Sequence, residues 1–290
     1  MFSGLPRFAF YEALREALRV EGNDLEALIE RGAAEEILTF LLTDRGLDYR
    51  SLPKGLLPFH RYPGENRTAF EEHLAEAADY VRDADGVCRL HFTVSPEHHQ
   101  GFLDHMAQVG PRYEQRHRVR LQVDYSVQKR STDTLAVDLN NIPFRDKDGS
   151  LLFRPSGHGA LLDNLNDLRA DLIYIKNIDN VVPDRLKPTT IIWKKVLGGL
   201  LCSVQDEVHR LLADLHRGAR PDLDEAAELV RRQLHLTVPD NFRQWPDDLR
   251  KELSLVGPAE GGKGEVNESY QVWEPCPKEK NKNKSSDPKV

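Results

Sequence analysis

Apolar residues recur at helical spacing from the start of the chain. Over residues 7–20, Phe8, Tyr11, Leu14, Ala17 and Leu18 share one face, which predicts an amphipathic helix. A second helix is predicted over residues 24–43, with Leu25, Leu28, Ile29, Ile37, Leu38 and Leu41 as its apolar side. Asn23 or Asp24 can cap it, and Arg45-Gly46 marks its end. The run SLPKGLLPFHRYPG (51–64) holds three prolines and two glycines, so residues 49–64 read as extended or irregular. Thr68-x-x-Glu71 is a capping box that opens a helix to about residue 83.

The period then changes. VCRLHFTV (87–94) is apolar at most positions, as a strand covered on both faces should be. Ser95-Pro96-Glu97 opens the next helix. RVRLQVDYS (118–126) alternates, which predicts a strand with one exposed face. A short strand follows at 135–137, then a hairpin around Asp148-Gly149. Gly157-His158-Gly159 precedes a helix over 160–168. DLIYIK (171–176) reads as a buried strand. Residues 189–216 form one long helix, 222–236 another, and 247–255 a short third. Strands separated by helices predict an α/β fold, a mostly parallel sheet with helices on both faces.

Composition narrows the function classes. The chain has 290 residues, 39% hydrophobic and 30% charged, with 40 basic against 47 acidic side chains and a net charge of −7. A mildly acidic chain has no general attraction for nucleic acid or anionic membranes. No stretch is apolar enough to span a bilayer, and the N-terminus lacks the pattern of a signal peptide. Cys88, Cys202 and Cys276 stand far apart, which disfavours a disulfide framework and fits a cytoplasmic setting. From residue 257 on, four glycines, four prolines and a lysine-rich end predict a disordered tail (256–290) behind a folded domain (1–255) whose first 46 residues are helical.

Chemistry concentrates in RPSGHGALLDNLNDLRADLIYIKNIDNVVPD (154–184). Glycines let a ligand approach the backbone closely, and a helix that follows a glycine loop points free N–H groups back at it. In open parallel sheets, ligands bind beyond the carboxyl ends of the strands. Asn177, Asp179 and Asn180 are therefore placed to face one. Asp179 offers a hard oxygen ligand suited to Mg²⁺ beside phosphates. On the residues alone, Gly157-His158-Gly159 is equally a tight turn, and Asp179 and Asn180 can simply brace the loop after them. On the residues alone Lys54 reads as a solvated loop residue. Gln128 lies in a polar loop with Lys129 and Arg130, which are candidate phosphate contacts. His91, His98, His99 and His105 are spread over a strand and a helix, with no cysteine or carboxylate set to complete a zinc site.

These pieces carry a resemblance. Gly157-His158-Gly159 and Asn177-Ile178-Asp179-Asn180 are similar to the pattern of the UDP-glucose pyrophosphorylase group. Leu52 to Phe59 is similar to the P-K-x-L-x-P stretch of nucleotidyltransferases. Across about residues 7–250 the chain resembles a bacterial family catalogued as domain of unknown function 4301. LPKGLLPF (52–59), LHFTVSPEH (90–98) and residues 128–187 carry that likeness.

The resemblance implies a glycosyltransferase-A type, nucleotide-diphospho-sugar transferase fold. It implies transfer of a nucleotidyl group from a nucleoside triphosphate to a sugar phosphate, with Mg²⁺ as cofactor. Lys54 and Asp179 would be catalytic, with Asp179 on the metal. Gln128, Gly157, His158, Gly159, Asn177 and Asn180 would bind nucleotide or sugar. The family pattern has a first strand and a small-residue phosphate loop upstream, and Met1-Phe2 falls inside it. The expectation is a chain lacking its first strand, impaired in turnover, with an unrelated stretch after Leu255. A non-catalytic nucleotide-binding or sugar-nucleotide-binding module is the alternative, and a non-functional fragment a third.

Overall fold

The computed structural model describes residues 2–155, 157–216, 223–242 and 272–273. They divide into two units, the first reaching to Ile191 and the second beginning at Ile192. Among them stand helices and small separate sheets, so the chain is a mixed α/β protein.

The first unit opens with three helices, α1 (Tyr11–Val20), α2 (Leu25–Glu30) and α3 (Ala34–Leu42). Leu14, Leu18, Leu25, Leu28, Ile37 and Phe40 pack into one buried cluster. Asp24 is the cap of α2: its Oδ1 accepts from Ala27 N at 2.9 Å. The single helix expected over 24–43 is two. Gly32 takes φ +70°, its N–H bonds Ile29 O at 3.1 Å, and Ala33 N bonds Leu28 O at 2.9 Å. That paired closure ends a helix at a left-handed residue, which glycine adopts without a Cβ clash.

The stretch expected to be extended or irregular contains β1 (Pro58–Tyr62), which forms an antiparallel hairpin with β2 (Glu65–Thr68) across Pro63-Gly64. Then comes α4 (Ala69–Tyr80). Its capping box is complete: Glu71 N donates to Thr68 Oγ1 at 3.1 Å, and Thr68 N donates to Glu71 Oε2 at 2.9 Å.

A parallel pair is formed by β3 (Val87–Thr93) with β4 (Arg120–Ser126), in register from Val87↔Arg120 to Thr93↔Ser126. Between them in sequence runs α5 (His99–His117). Cys88, Val94 and Leu121, with Leu90, Phe92, Val123 and Tyr125, pack against Phe70, Leu74, Phe102 and Tyr113 of α4 and α5. The opposite face carries Arg89, His91, Thr93, Gln122, Asp124 and Ser126. The expectation that β3 is covered on both faces therefore fails, because its alternate positions are polar and the ladder has one apolar side.

Residues 134–154 form an arm in which β5 (Thr134–Leu135) pairs antiparallel with β6 (Phe153–Arg154). Bridges Val137↔Pro143 and Arg145↔Leu151 continue it, and Gly149, φ +84°, makes the expected Asp148-Gly149 turn. Next come α6 (Leu162–Asn166) and β7 (Ile173–Tyr174). The buried strand expected over 171–176 shrinks to these two half-buried residues, with Ile175 exposed. Charged neighbours Asp171 and Lys176 leave too short an apolar run to bury.

The division between units falls within α7 (Lys187–His216), which extends the long helix expected there by two residues at its start. In the second unit, α7 is followed by α8 (Leu223–Arg232), where Ala227 and Leu229 are buried. The expected helix over 247–255 and the tail lie outside the described residues.

Candidate functional site

Helix α4 builds the site. Phe70, Leu74 and Ala77 face the core. On its other side, Glu72 and Glu76 are almost wholly buried, a costly place for carboxylates unless each finds a cation. Both do, on the segment that follows β7. Lys176 Nζ donates to Glu76 Oε1 at 2.6 Å, and Tyr80 Oη donates to the same oxygen at 2.7 Å. Lys187 Nζ bonds Glu72 Oε2 and also Asp184 Oδ1, the latter at 2.7 Å. Tyr62 Oη donates to Glu72 Oε1 at 2.6 Å, and Arg67 bridges to Asp184 at 2.8 Å. The segment is thus clamped at Lys176 and at Lys187.

The span between the clamps is held in its middle. The His73 ring contacts Ile178 O at 3.1 Å, and Asn180 N closes a turn onto Asn177 O at 3.0 Å. Burial opposes ionisation of Glu76 and of Asp184. Their cationic partners, Lys176 in one case and Lys187 with Arg67 in the other, outweigh it and hold both carboxyls below their ordinary values.

This turn presents Asp179 to Lys54. Lys54 Nζ donates to Asp179 Oδ2 at 2.8 Å, between residues 125 apart in sequence, and both side chains reach solvent. The reason lies one residue inward on each side. Gly55 is buried, and a Cβ there would stand 2.7 Å from the Phe102 ring and 3.4 Å from Ile178 Cγ1. Glycine at 55 lets the 3₁₀ turn at Lys54–Leu56 press onto α5 and Ile178, which sets Lys54 beside Asp179. The Lys54 bond keeps the Asp179 carboxyl below its ordinary value, and the charge of His158 adds to the effect.

The glycines around His158 behave differently from expectation. Gly157 has φ −71°, and neither Gly157 nor Gly159 has a positive φ. A Cβ at either meets nothing within 4 Å. The backbone does not require glycine at these positions, yet the segment does make the tight turn, Ala160 N bonding Gly157 O at 3.0 Å, and the open space above both glycines leaves room for a ligand. The helix expected over 160–168 is a 3₁₀ turn, His158–Leu161, followed by the five residues of α6. So short a helix adds little anion-binding field of its own.

A second set of contacts ties α6 to the carboxyl end of β4. Asn164 is buried, and its Nδ2 donates to Ser126 Oγ at 2.9 Å and Val127 O at 3.0 Å. A carbonyl can only accept, which fixes the amide's orientation. Burial lowers the His91 pKa against the pull of Asp124, so its Nε2, 2.8 Å from Ser126 Oγ, is suited to accept. With Thr93 Oγ1 also 3.2 Å away, the Ser126 hydroxyl has all its valences engaged. It ties β3 and β4 to α6. Lys129 pairs with Asp167 at 2.8 Å, and Gln128 Nε2 contacts Asp133 Oδ1 at 3.3 Å.

Sequence reasoning missed Asn164, Glu72 and Glu76. Acidic residues at i and i+4 of a strongly capped helix were the available signal for the glutamates. Among the described residues, no group of three or more His, Cys, Asp or Glu side chains could hold a metal. His105 bonds Thr68 Oγ1 at 3.0 Å, and His99 packs on Tyr125. An open groove of about 720 Å³ lies between Glu12 and the β1–β2 turn, and one of about 270 Å³ lies beside Arg67 and His117.

These features define an α/β protein with a clamped, solvent-facing acid–base pair beside its parallel strands. The chain belongs to the family described as domain of unknown function (DUF4301), whose model matches residues 1–255. No curated protein and no solved structure matches it. No helix among the described residues is long and apolar enough to cross a membrane.

Proposed function

We propose that this chain is a nucleotidyltransferase-like protein of the nucleotide-diphospho-sugar transferase type. Its reaction would move a nucleotidyl group from a nucleoside triphosphate to a sugar phosphate and release pyrophosphate. The observation that supports this most is the Lys54–Asp179 contact. Lys54, catalytic by the resemblance, and Asp179, read as a metal ligand, meet across 125 residues.

The chemistry asks for positioning and charge neutralisation more than for covalent help. Asp179, ionised and open to solvent, supplies one carboxylate. That suits Mg²⁺, which keeps several waters and takes its other ligands from substrate phosphates. The donor set therefore fits a metal that arrives with the nucleotide, and the ion would supply charge neutralisation at those phosphates. Lys54, released from Asp179, contributes a mobile point charge to the same phosphates. His158, Asn177 and Asn180 donate or accept hydrogen bonds around them, Gly157 and Gly159 leave the backbone open to the ligand, and Gln128 faces the base.

The test is pyrophosphate release from a panel of nucleoside triphosphates with sugar 1-phosphates and Mg²⁺. Release that disappears in Asp179→Ala supports the proposal. No release with any pair sinks the enzyme reading. Mg²⁺-dependent nucleotide binding without turnover would instead mark a binding module.

A further inference from the structure

Within the second unit, α7 carries an apolar surface that stands exposed among the described residues. Ile192, Trp193, Val196, Leu197 and Leu200 are between 37% and 62% exposed. They follow one another at helical spacing along about two turns. Beside them, a Cβ at Gly199 would meet nothing within 4 Å. Lys194, on the side of the helix away from Val196, is buried, so the stripe is the outward face of a packed helix and not a frayed end.

We propose that this stripe is a two-fold interface with a second copy of the chain, the two α7 helices packing antiparallel about Val196. Antiparallel pairing about Val196 sets residue i of one copy at the height of residue 392 − i of the other. Ile192 of each copy then lies over the bare helix surface at Gly199 of the other. Trp193 lies against Leu197 and Leu200, and the two Val196 side chains meet at the axis. The stripe is self-complementary in this one arrangement, as an isologous interface must be. A parallel pairing would stack like on like, Trp193 on Trp193 and the Gly199 hollow on itself.

The area decides how strong such a dimer is. The five exposed fractions, applied to ordinary side-chain areas, amount to roughly 500 Å² per copy, or about 1,000 Å² for the pair, at the lower edge of specific interfaces. A single-sided docking of a small apolar ligand would leave most of the stripe wet, whereas a second copy covers all of it. The expected dimer is reversible, with a dissociation constant on the order of micromolar.

Sedimentation velocity on the full chain, from about 1 to 100 μM, tests this. The expected result is a rise from the monomer mass of 33.1 kDa towards twice that value, with Val196→Arg remaining at the monomer mass throughout. Gly199→Gln keeps the proposal open to refutation if Val196→Arg folds poorly. It favours the helix in the monomer but fills the hollow under Ile192, so dimerisation should weaken at least tenfold with no loss of thermal midpoint. Leu139→Asp, on the exposed arm, should leave dimerisation unchanged. A wild-type chain that stays monomeric at 100 μM overturns the proposal. So does a dimer that survives both α7 variants, or one that only Leu139→Asp dissolves.

Discussion

Replacing Lys176 with methionine removes one partner of a pair whose other member, Glu76, is buried. Methionine keeps the apolar stem and discards the charge. Breaking a buried pair from one side typically costs about 3–5 kcal/mol, because the remaining charge is left without compensation. For a unit of this size, each kcal/mol moves the midpoint by about 2–4 °C, so the variant should melt roughly 10 °C lower.

The pH dependence separates this mechanism from a packing defect. In the wild type the Glu76 pKa is lowered on folding. Its contribution is present above the unfolded carboxyl value of about 4.3 and is lost as pH falls through the folded one. In Lys176→Met the lysine's two contributions are gone and only Tyr80 and His73 still oppose burial, so the folded pKa rises and the penalty is greatest at neutral pH. Urea unfolding followed by circular dichroism should show a larger loss at pH 7 than at pH 5. Glu76→Leu combined with Lys176→Met should recover most of the stability. A loss below about 1 kcal/mol, or equal losses at both pH values, would refute the reasoning.

Three further outcomes are expected. Gly55→Ala drives a methyl into the Phe102 ring and should cost about 1–3 kcal/mol in urea melts, while also weakening nucleotide binding by displacing Lys54. Thr68→Ala removes the side-chain half of the α4 capping box, an expected loss of about 1 kcal/mol by the same assay. Lys54→Ala should change stability by less than about 0.5 kcal/mol, the pair being exposed, yet raise the Asp179 pKa in a carboxyl-detected NMR titration.

Much of this fold is legible in the order of residues alone. The capping box at Thr68, the strands β3 and β4, the Asp148-Gly149 turn and the run of α7 follow from local signals that tertiary packing does not overrule. The break at Gly32 is also local, and an apolar stripe continuing on both sides of it masks the signal. What stays hidden is pairing. Strand patterns state which face is apolar but not which neighbour a strand finds, and here the expected sheet resolves into separate two-stranded pieces among the described residues.

The site obeys the same rule. Lys54 and Asp179 are legible as residue types, but their meeting depends on Gly55 touching Ile178 and on two glutamates inside α4. Buried carboxylates look like surface ones in a sequence, because burial is decided by the partners that Lys176 and Lys187 supply from a distant segment.

The most direct test of the central claim is calorimetric titration of the full chain with nucleoside triphosphates, with and without Mg²⁺, for wild type, Lys54→Ala and Asp179→Ala. The account predicts binding that requires Mg²⁺ and weakens at least tenfold in either variant. A wild-type chain that binds no nucleotide, or nucleotide binding that both variants retain, would contradict it.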